Sequence, residues 1–130
     1  MVVRSDNILP RGMPDCLKKR RLLNDKGLSP EACRDYGEKF LELGFLEDAL
    51  EFFVQGLYQP GLDKIKAMAI EAGDAYLMGK LGPHAPEDWR RVADQALKLG
   101  KVQFARRALE QAGDKEQAEE LSRSVQIRSA

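Results

Sequence analysis

The chain has 130 residues, 43% of them hydrophobic and 32% charged, with 21 Lys/Arg balanced by 21 Asp/Glu. Such a composition describes a globular protein with enough apolar residues for one domain and its core, and argues against wholesale disorder. It supplies no overall field to gather nucleic acid, no apolar run near the roughly 20 residues that span a bilayer and no apolar leader, so a cytoplasmic location is the expectation.

Residues 1–13, MVVRSDNILPRGM, mix proline, glycine and charge without period and read as a flexible segment. A short helix is expected from Pro14 to about Asn24, with Cys16, Leu17, Leu22 and Leu23 beside the run Lys18, Lys19, Arg20 and Arg21, closed by Gly27. Residues 1–28 hold seven Lys/Arg and three Asp, a local charge of +4, and the rest of the chain carries −4, so the two parts can attract each other. Four adjacent cations can contact nucleic acid or an anionic membrane, because phosphate is bound without sequence information. They can equally form a solvated face resting on the acidic segment that follows. The lack of interleaved aromatic residues to stack bases favours the second reading.

Ser29, Pro30 and Glu31 form a helix start: a side-chain oxygen for the cap, a proline where no donor is needed and an acid at the positive end. Cys33, Tyr36, Gly37, Phe40, Leu41 and Leu43 then recur at spacings of three and four, and Gly44 supplies a left-handed cap. Leu46, Ala49, Leu50, Phe53 and Leu57 repeat the spacing in a second helix, expected to end at a turn over Gln59, Pro60 and Gly61. So short a connection makes the two helices antiparallel. A helix follows over residues 62–73, with Leu62, Ile65, Met68, Ala69 and Ala72 on its apolar side, and a shorter one from Asp74 to about Lys80, with Tyr76, Leu77 and Leu81 apolar.

After the loop Gly82-Pro83-His84-Ala85 the opening pattern returns. Ala85-Pro86-Glu87 matches Ser29-Pro30-Glu31 at an offset of 56, and in the same register Val92, Leu97, Leu99, Gly100 and Ala105 match Tyr36, Leu41, Leu43, Gly44 and Ala49. A helix from Pro86 to Leu99 with Trp89, Val92, Ala93 and Ala96 inward, and an antiparallel partner from Val102 to Ala112 with Ala105, Ala108 and Leu109 inward, follow from this match. The triplet Ala-Gly-Asp at 72–74 returns at 112–114, each time as a glycine cap before an acidic helix start, and a last helix is expected over about Asp114 to Ser124.

The sequence carries no catalytic or cofactor motif. Cys16 and Cys33 form no CxxC pair, and their expected place is on buried or half-buried helix faces. His84 is the sole histidine, so neither a zinc cluster nor a nucleophile relay has the ligands it would require. No enzyme activity, cofactor or metal is expected.

The positions Gly37, Phe40, Gly44, Leu46, Ala49, Phe53 and Gly56, and again Trp89, Ala93, Gly100, Val102, Ala105, Leu109 and Ala112, resemble a tetratricopeptide repeat, a helix-turn-helix unit of about 34 residues that stacks into a superhelix. The offset here is 56, which makes the middle pair a degenerate or inserted unit. Clathrin- and coatomer-type solenoids share such patterns, and a plain helical bundle obeys the same packing rules. The resemblance implies an all-α fold of about seven helices, in antiparallel helix-turn-helix pairs stacked as a short α-solenoid over residues 14–130. It also implies a concave face of first helices that binds a peptide or helix of another protein. The residues on that face would be Glu31, Arg34, Glu38, Leu41 and Glu42, then Glu87, Arg90, Asp94, Leu97 and Lys98. Glu38 and Asp94 stand where the carboxylate-clamping members of the family carry asparagine, so a mixed or basic peptide is the expected ligand. The alternative is a nucleic-acid or anionic-membrane accessory protein using Lys18, Lys19, Arg20 and Arg21. Self-association through the terminal helices is a further expectation.

Overall fold

The structure, a computed structural model, describes residues 14–24 and 27–129, and of these the side chains of Cys16 and residues 125–129 lie outside the description. So does the segment 1–13 that the sequence reads as flexible. All elements among the described residues are α-helices, eight where about seven were expected: α1 (Cys16–Asn24), α2 (Pro30–Glu42), α3 (Leu46–Gln55), α4 (Gln59–Ala72), α5 (Ala75–Lys80), α6 (Pro86–Lys98), α7 (Val102–Ala112) and α8 (Lys115–Ser129). The described residues cluster as two compact units, divided between Asp63 and Lys64 inside α4.

In the first unit α2 starts as its residues dictate. Ser29 is extended (φ −68°, ψ 152°) and its hydroxyl accepts the N–H of Ala32 at 3.1 Å, satisfying one of the donors that a helix start leaves open. Gly44 then takes φ +84°, which costs glycine nothing, and α3 begins at once. A β-carbon on Gly56, at the end of α3, would come within 2.8 Å of Cys33 Cβ and 3.2 Å of the Pro30 carbonyl, at the start of α2. The two helices are therefore antiparallel, and α1 lies against α3.

The core of this unit is aromatic. Phe40 stacks on Phe52 with centroids 5.6 Å apart and planes 10° apart, and Tyr36 meets the same ring at 5.3 Å. Phe53 is fully buried, 5.5 Å from the Tyr58 ring and pressed against Gly37 and Gly61, whose missing β-carbons make its space. Offset aromatic pairs of this kind add to the burial of their area.

In the second unit α6 lies along α7, α7 along α8, and α5 against both α6 and α7. The 56-residue offset seen in the sequence now covers the helices themselves. Pro30–Glu42 corresponds to Pro86–Lys98 at both ends, and α3 and α7, like α4 and α8, start 56 residues apart. The ends of α1 and α5 are also 56 residues apart, and α1 touches α3 as α5 touches α7. Gly100, at φ +75°, repeats Gly44. The buried positions coincide too: Cys33 with Trp89, Gly37 with Ala93, Phe40 with Ala96, Ala49 with Ala105, Phe52 with Ala108, Phe53 with Leu109 and Gly56 with Ala112. Volume is redistributed rather than conserved position by position. Alanines replace the stacked pair Phe40 and Phe52, while Trp89 replaces the small Cys33, in keeping with close packing as the common requirement.

Four expectations change. Phe52, absent from the expected apolar face of α3, is fully buried, because that face is wide enough to hold both members of the pair 52–53. Leu57, expected inward, is 89% exposed: α3 ends at Gln55 and Leu57 itself makes the turn, at φ +52°. Pro60 and Gly61 open α4 rather than forming the expected turn, Pro60 because its fixed φ suits a first helical turn, Gly61 because the Phe53 ring occupies its side-chain space. Leu43, Met68, Ala72 and Tyr76, expected on apolar faces, are exposed. Leu43 lies beyond the last residue of its helix, and Ala72 is the last of its own, where fewer neighbours are present to cover them.

Candidate functional site

The expected partner-binding residues fall on two helices, each described within its own unit. On α2, Glu31, Arg34 and Glu42 are exposed while Glu38 and Leu41 are half-buried; on α6, Glu87, Arg90, Asp94, Leu97 and Lys98 are all exposed. The spacing places each set in one stripe along its helix.

The two arginines of these stripes brace the fold. The Arg34 guanidinium lies 4.4 Å from the centre of the Tyr58 ring, and 56 residues later Arg90 Nε donates to Asp114 Oδ2 at 2.9 Å. Tyr58 and Asp114 are themselves 56 apart and each stands just before the next helix, so one contact is made twice by different chemistry, a cation on a ring and a cation on a carboxylate. The hydrogen bond from Arg90 holds the Asp114 carboxyl below the usual range, and the same bond raises the arginine.

Beside these charges lie leucines in equivalent places. Leu43 is 40% exposed and Leu99 is 51% exposed, and they follow Leu41 and Leu97, each pair at the C-terminal end of the first helix of its hairpin. Neither leucine of a pair is fully covered by the chain.

The basic run of α1 does not present four equivalent cations. Lys18, Arg20 and Arg21 are exposed, whereas Lys19 is half-buried and its ammonium bridges Asp48 and Glu51 of α3, the latter at 3.0 Å. Burial alone would lower its pKa, but hydrogen bonds and charge from the two carboxylates outweigh this and raise it. Lys19 thus rests on the acidic hairpin.

One feature escaped the sequence reading: an open cleft of about 520 Å³ in the second unit. Ala75, Tyr76, Gly79 and Lys80 of α5 line it, with Gly82, Pro83 and His84 of the loop, Trp89 of α6, and Arg107 and Gln111 of α7. His84 Nε2 donates to the Met78 carbonyl at 2.7 Å and the imidazole meets the Trp89 ring edge-on at 5.5 Å, so the ring is held from two sides. Lys80 Nζ lies 4.8 Å from the centre of the Tyr76 ring. The signal that could have found it is the trio of small residues Ala75, Gly79 and Gly82, where larger side chains would have filled the space.

Elsewhere Lys66 donates to Asp88 at 2.9 Å, which lowers the Asp88 carboxyl, and burial raises the Cys33 thiol, away from the reactive thiolate. Among the described residues no group of three or more His, Cys, Asp or Glu is placed to hold a metal ion, and no helix is long and apolar enough to cross a membrane. No family model matches the chain, and no curated protein or solved structure matches it.

Proposed function

We propose that the chain is a helical-repeat interaction module, with a tetratricopeptide-like solenoid as its architecture and another protein, through a peptide or a helix, as its partner. The observation that carries this reading is the duplicated exposure of Leu43 and Leu99 beside Leu41 and Leu97. Isolated exposed leucines are ordinary on any protein surface. The same pair left open at the same place in two copies, on the helix that also bears the mixed-charge stripe, is the arrangement that a partner with apolar anchors and a polar rim would use. Arg34 and Arg90 contribute mainly by holding their helices, and Glu31, Glu42, Glu87, Asp94 and Lys98 supply the rim.

Affinity capture from the native lysate, with and without nuclease, tests this on the unaltered chain and on the double variant Leu43→Asp, Leu99→Asp. Both positions are exposed, so the variant should keep its helical circular dichroism. The reading expects a protein partner whose capture survives nuclease and fails with the variant. Capture that disappears with nuclease would transfer the function to Lys18, Arg20 and Arg21, and capture unaffected by the variant would remove the leucines from the interface.

A further inference from the structure

Helix α1 has two faces of different use. Counting about 100° per residue, Lys19, Leu22 and Leu23 share one side, and there they are half-buried, next to the fully buried Pro14. Lys19 braces this side through Asp48 and Glu51 of α3. The opposite side is centred on Leu17, with Arg20 about 60° to one hand, and Arg21 about 40° and Lys18 about 100° to the other. Leu17 is 74% exposed, Lys18, Arg20 and Arg21 are exposed, and none of these three cations has an ion-pair partner among the described residues.

The second copy of the repeat does without this cationic side. At the offset of 56, Lys18, Arg20 and Arg21 correspond to Asp74, Tyr76 and Leu77, so the charges are no requirement of the fold. The adjoining sequence does not neutralise them either: residues 1–13 hold Arg4 and Arg11 against Asp6, and residues 25 and 26 are Asp25 and Lys26. Asp15 accepts the backbone N–H of Lys18 at 2.8 Å, at the start of the helix. The excess of acids in residues 29–130 is spread along the chain, and a Debye length of about 8 Å at physiological salt screens most of it from a surface that touches α1.

We infer that the outer side of α1 is a docking surface for an anionic lipid bilayer, with Lys18, Arg20 and Arg21 at the level of the headgroup phosphates and carboxylates and Leu17 entering the apolar layer beneath them. Cations near such a surface are attracted by its negative potential, and an apolar side chain among them gains by leaving water. A nucleic-acid duplex would meet the cations but offers no apolar layer for Leu17, and α1 carries no aromatic residue to stack on bases. The docking surface is independent of Leu43 and Leu99 and belongs to the first copy of the repeat.

Co-sedimentation of the full chain with phosphatidylcholine vesicles, with and without about 30% phosphatidylserine, tests this. The chain should bind the anionic vesicles, less so as salt rises, and leave the neutral ones. Each of Lys18→Gln, Arg20→Gln and Arg21→Gln should weaken binding about fivefold, and the triple variant about a hundredfold. Arg91→Gln with Arg107→Gln, exposed cations of the second unit, should change nothing. All these positions are exposed, so helical circular dichroism should be kept. In Leu17→Trp, anionic vesicles should shift the tryptophan emission to the blue, whereas the parent chain, whose single tryptophan Trp89 is buried, should show no shift. Equal binding to both vesicle types, binding unaffected by the triple variant, or no blue shift at position 17 would overturn the inference. So would binding of a generic DNA duplex that is stronger than binding of the anionic vesicles and indifferent to Leu17→Ser, which would assign the face to nucleic acid.

Discussion

Gly37 and Phe53 form a pair that the repeat itself makes testable. A β-carbon on Gly37 would meet the Cε1 and Cδ1 atoms of Phe53, the latter at 2.5 Å, and Phe53 has nowhere to move: it is fully buried, with Tyr58 at 5.5 Å and the backbone of Gly61 on its other side. Gly37→Ala gains about 1 kcal/mol of helix propensity, but overpacking a filled core costs about 1 to 3 kcal/mol, and the absence of any escape for the ring places the cost at the upper end. The net expectation is a loss of about 1 to 2 kcal/mol. The second copy solves the same position with Ala93 and Leu109. Combining Gly37→Ala with Phe53→Leu should therefore recover stability relative to the sum of the single changes, with a coupling of about 1 to 2 kcal/mol in its favour. Urea unfolding followed by far-ultraviolet circular dichroism is the assay. Trp89 fluorescence, which sits in the second unit, should shift less. A Gly37→Ala variant more stable than the parent, or strict additivity in the double variant, would refute the packing described here.

Leu57 is held at φ +52°, where the second copy has Gly113 at φ +88°. Relieving a left-handed leucine is worth about 1 to 2 kcal/mol, and glycine gives back about 0.5 to 1 in chain entropy, so Leu57→Gly should raise stability by up to about 1.5 kcal/mol in the same urea assay. Ala85 has the backbone of a cap (φ −66°, ψ 149°), close to that of Ser29, but no side-chain acceptor. Ala85→Ser should add about 0.5 to 1 kcal/mol, read as a later thermal midpoint. Asp88 and Asp114 both have folded-state pKa values below the unfolded carboxylate, through Lys66 and Arg90. Their contribution is therefore present above the unfolded value and is lost as pH falls through the folded one. Trp89-detected stability should decline below about pH 4, and less steeply in Lys66→Gln than in the parent.

The hairpins could be read from sequence because each signal is local. Ser29-Pro30-Glu31 and Ala85-Pro86-Glu87 mark starts, Gly44 and Gly100 mark the turns, and the three-and-four spacing marks the buried face. The offset of 56 followed from comparing the two copies. What spacing does not contain is how volumes close. Pro60-Gly61 carries the same letters in a turn and in a first helical turn, and the structure chooses the helix because Gly61 faces the Phe53 ring. Leu57 continues a periodic pattern into a residue that has already left the helix. The cleft was hidden for the same reason. Ala75, Gly79 and Gly82 are unremarkable singly and open a space only because α5, its loop and α7 meet there. Lys19 shows the converse, since the attraction between the basic start and the acidic hairpin was legible from net charge, and its partners Asp48 and Glu51 were not.

The functional reading rests on the leucine ends of α2 and α6, and site-specific photo-crosslinking tests it most directly. A photoreactive residue is placed singly at positions 43 and 99, and for comparison at Gln103 and Glu47, exposed positions on the second helices. Irradiated in the native lysate, positions 43 and 99 should capture the same protein and the comparison positions should not. Capture that is equal at all four positions, or absent from 43 and 99, would contradict an interface built on the repeated leucines.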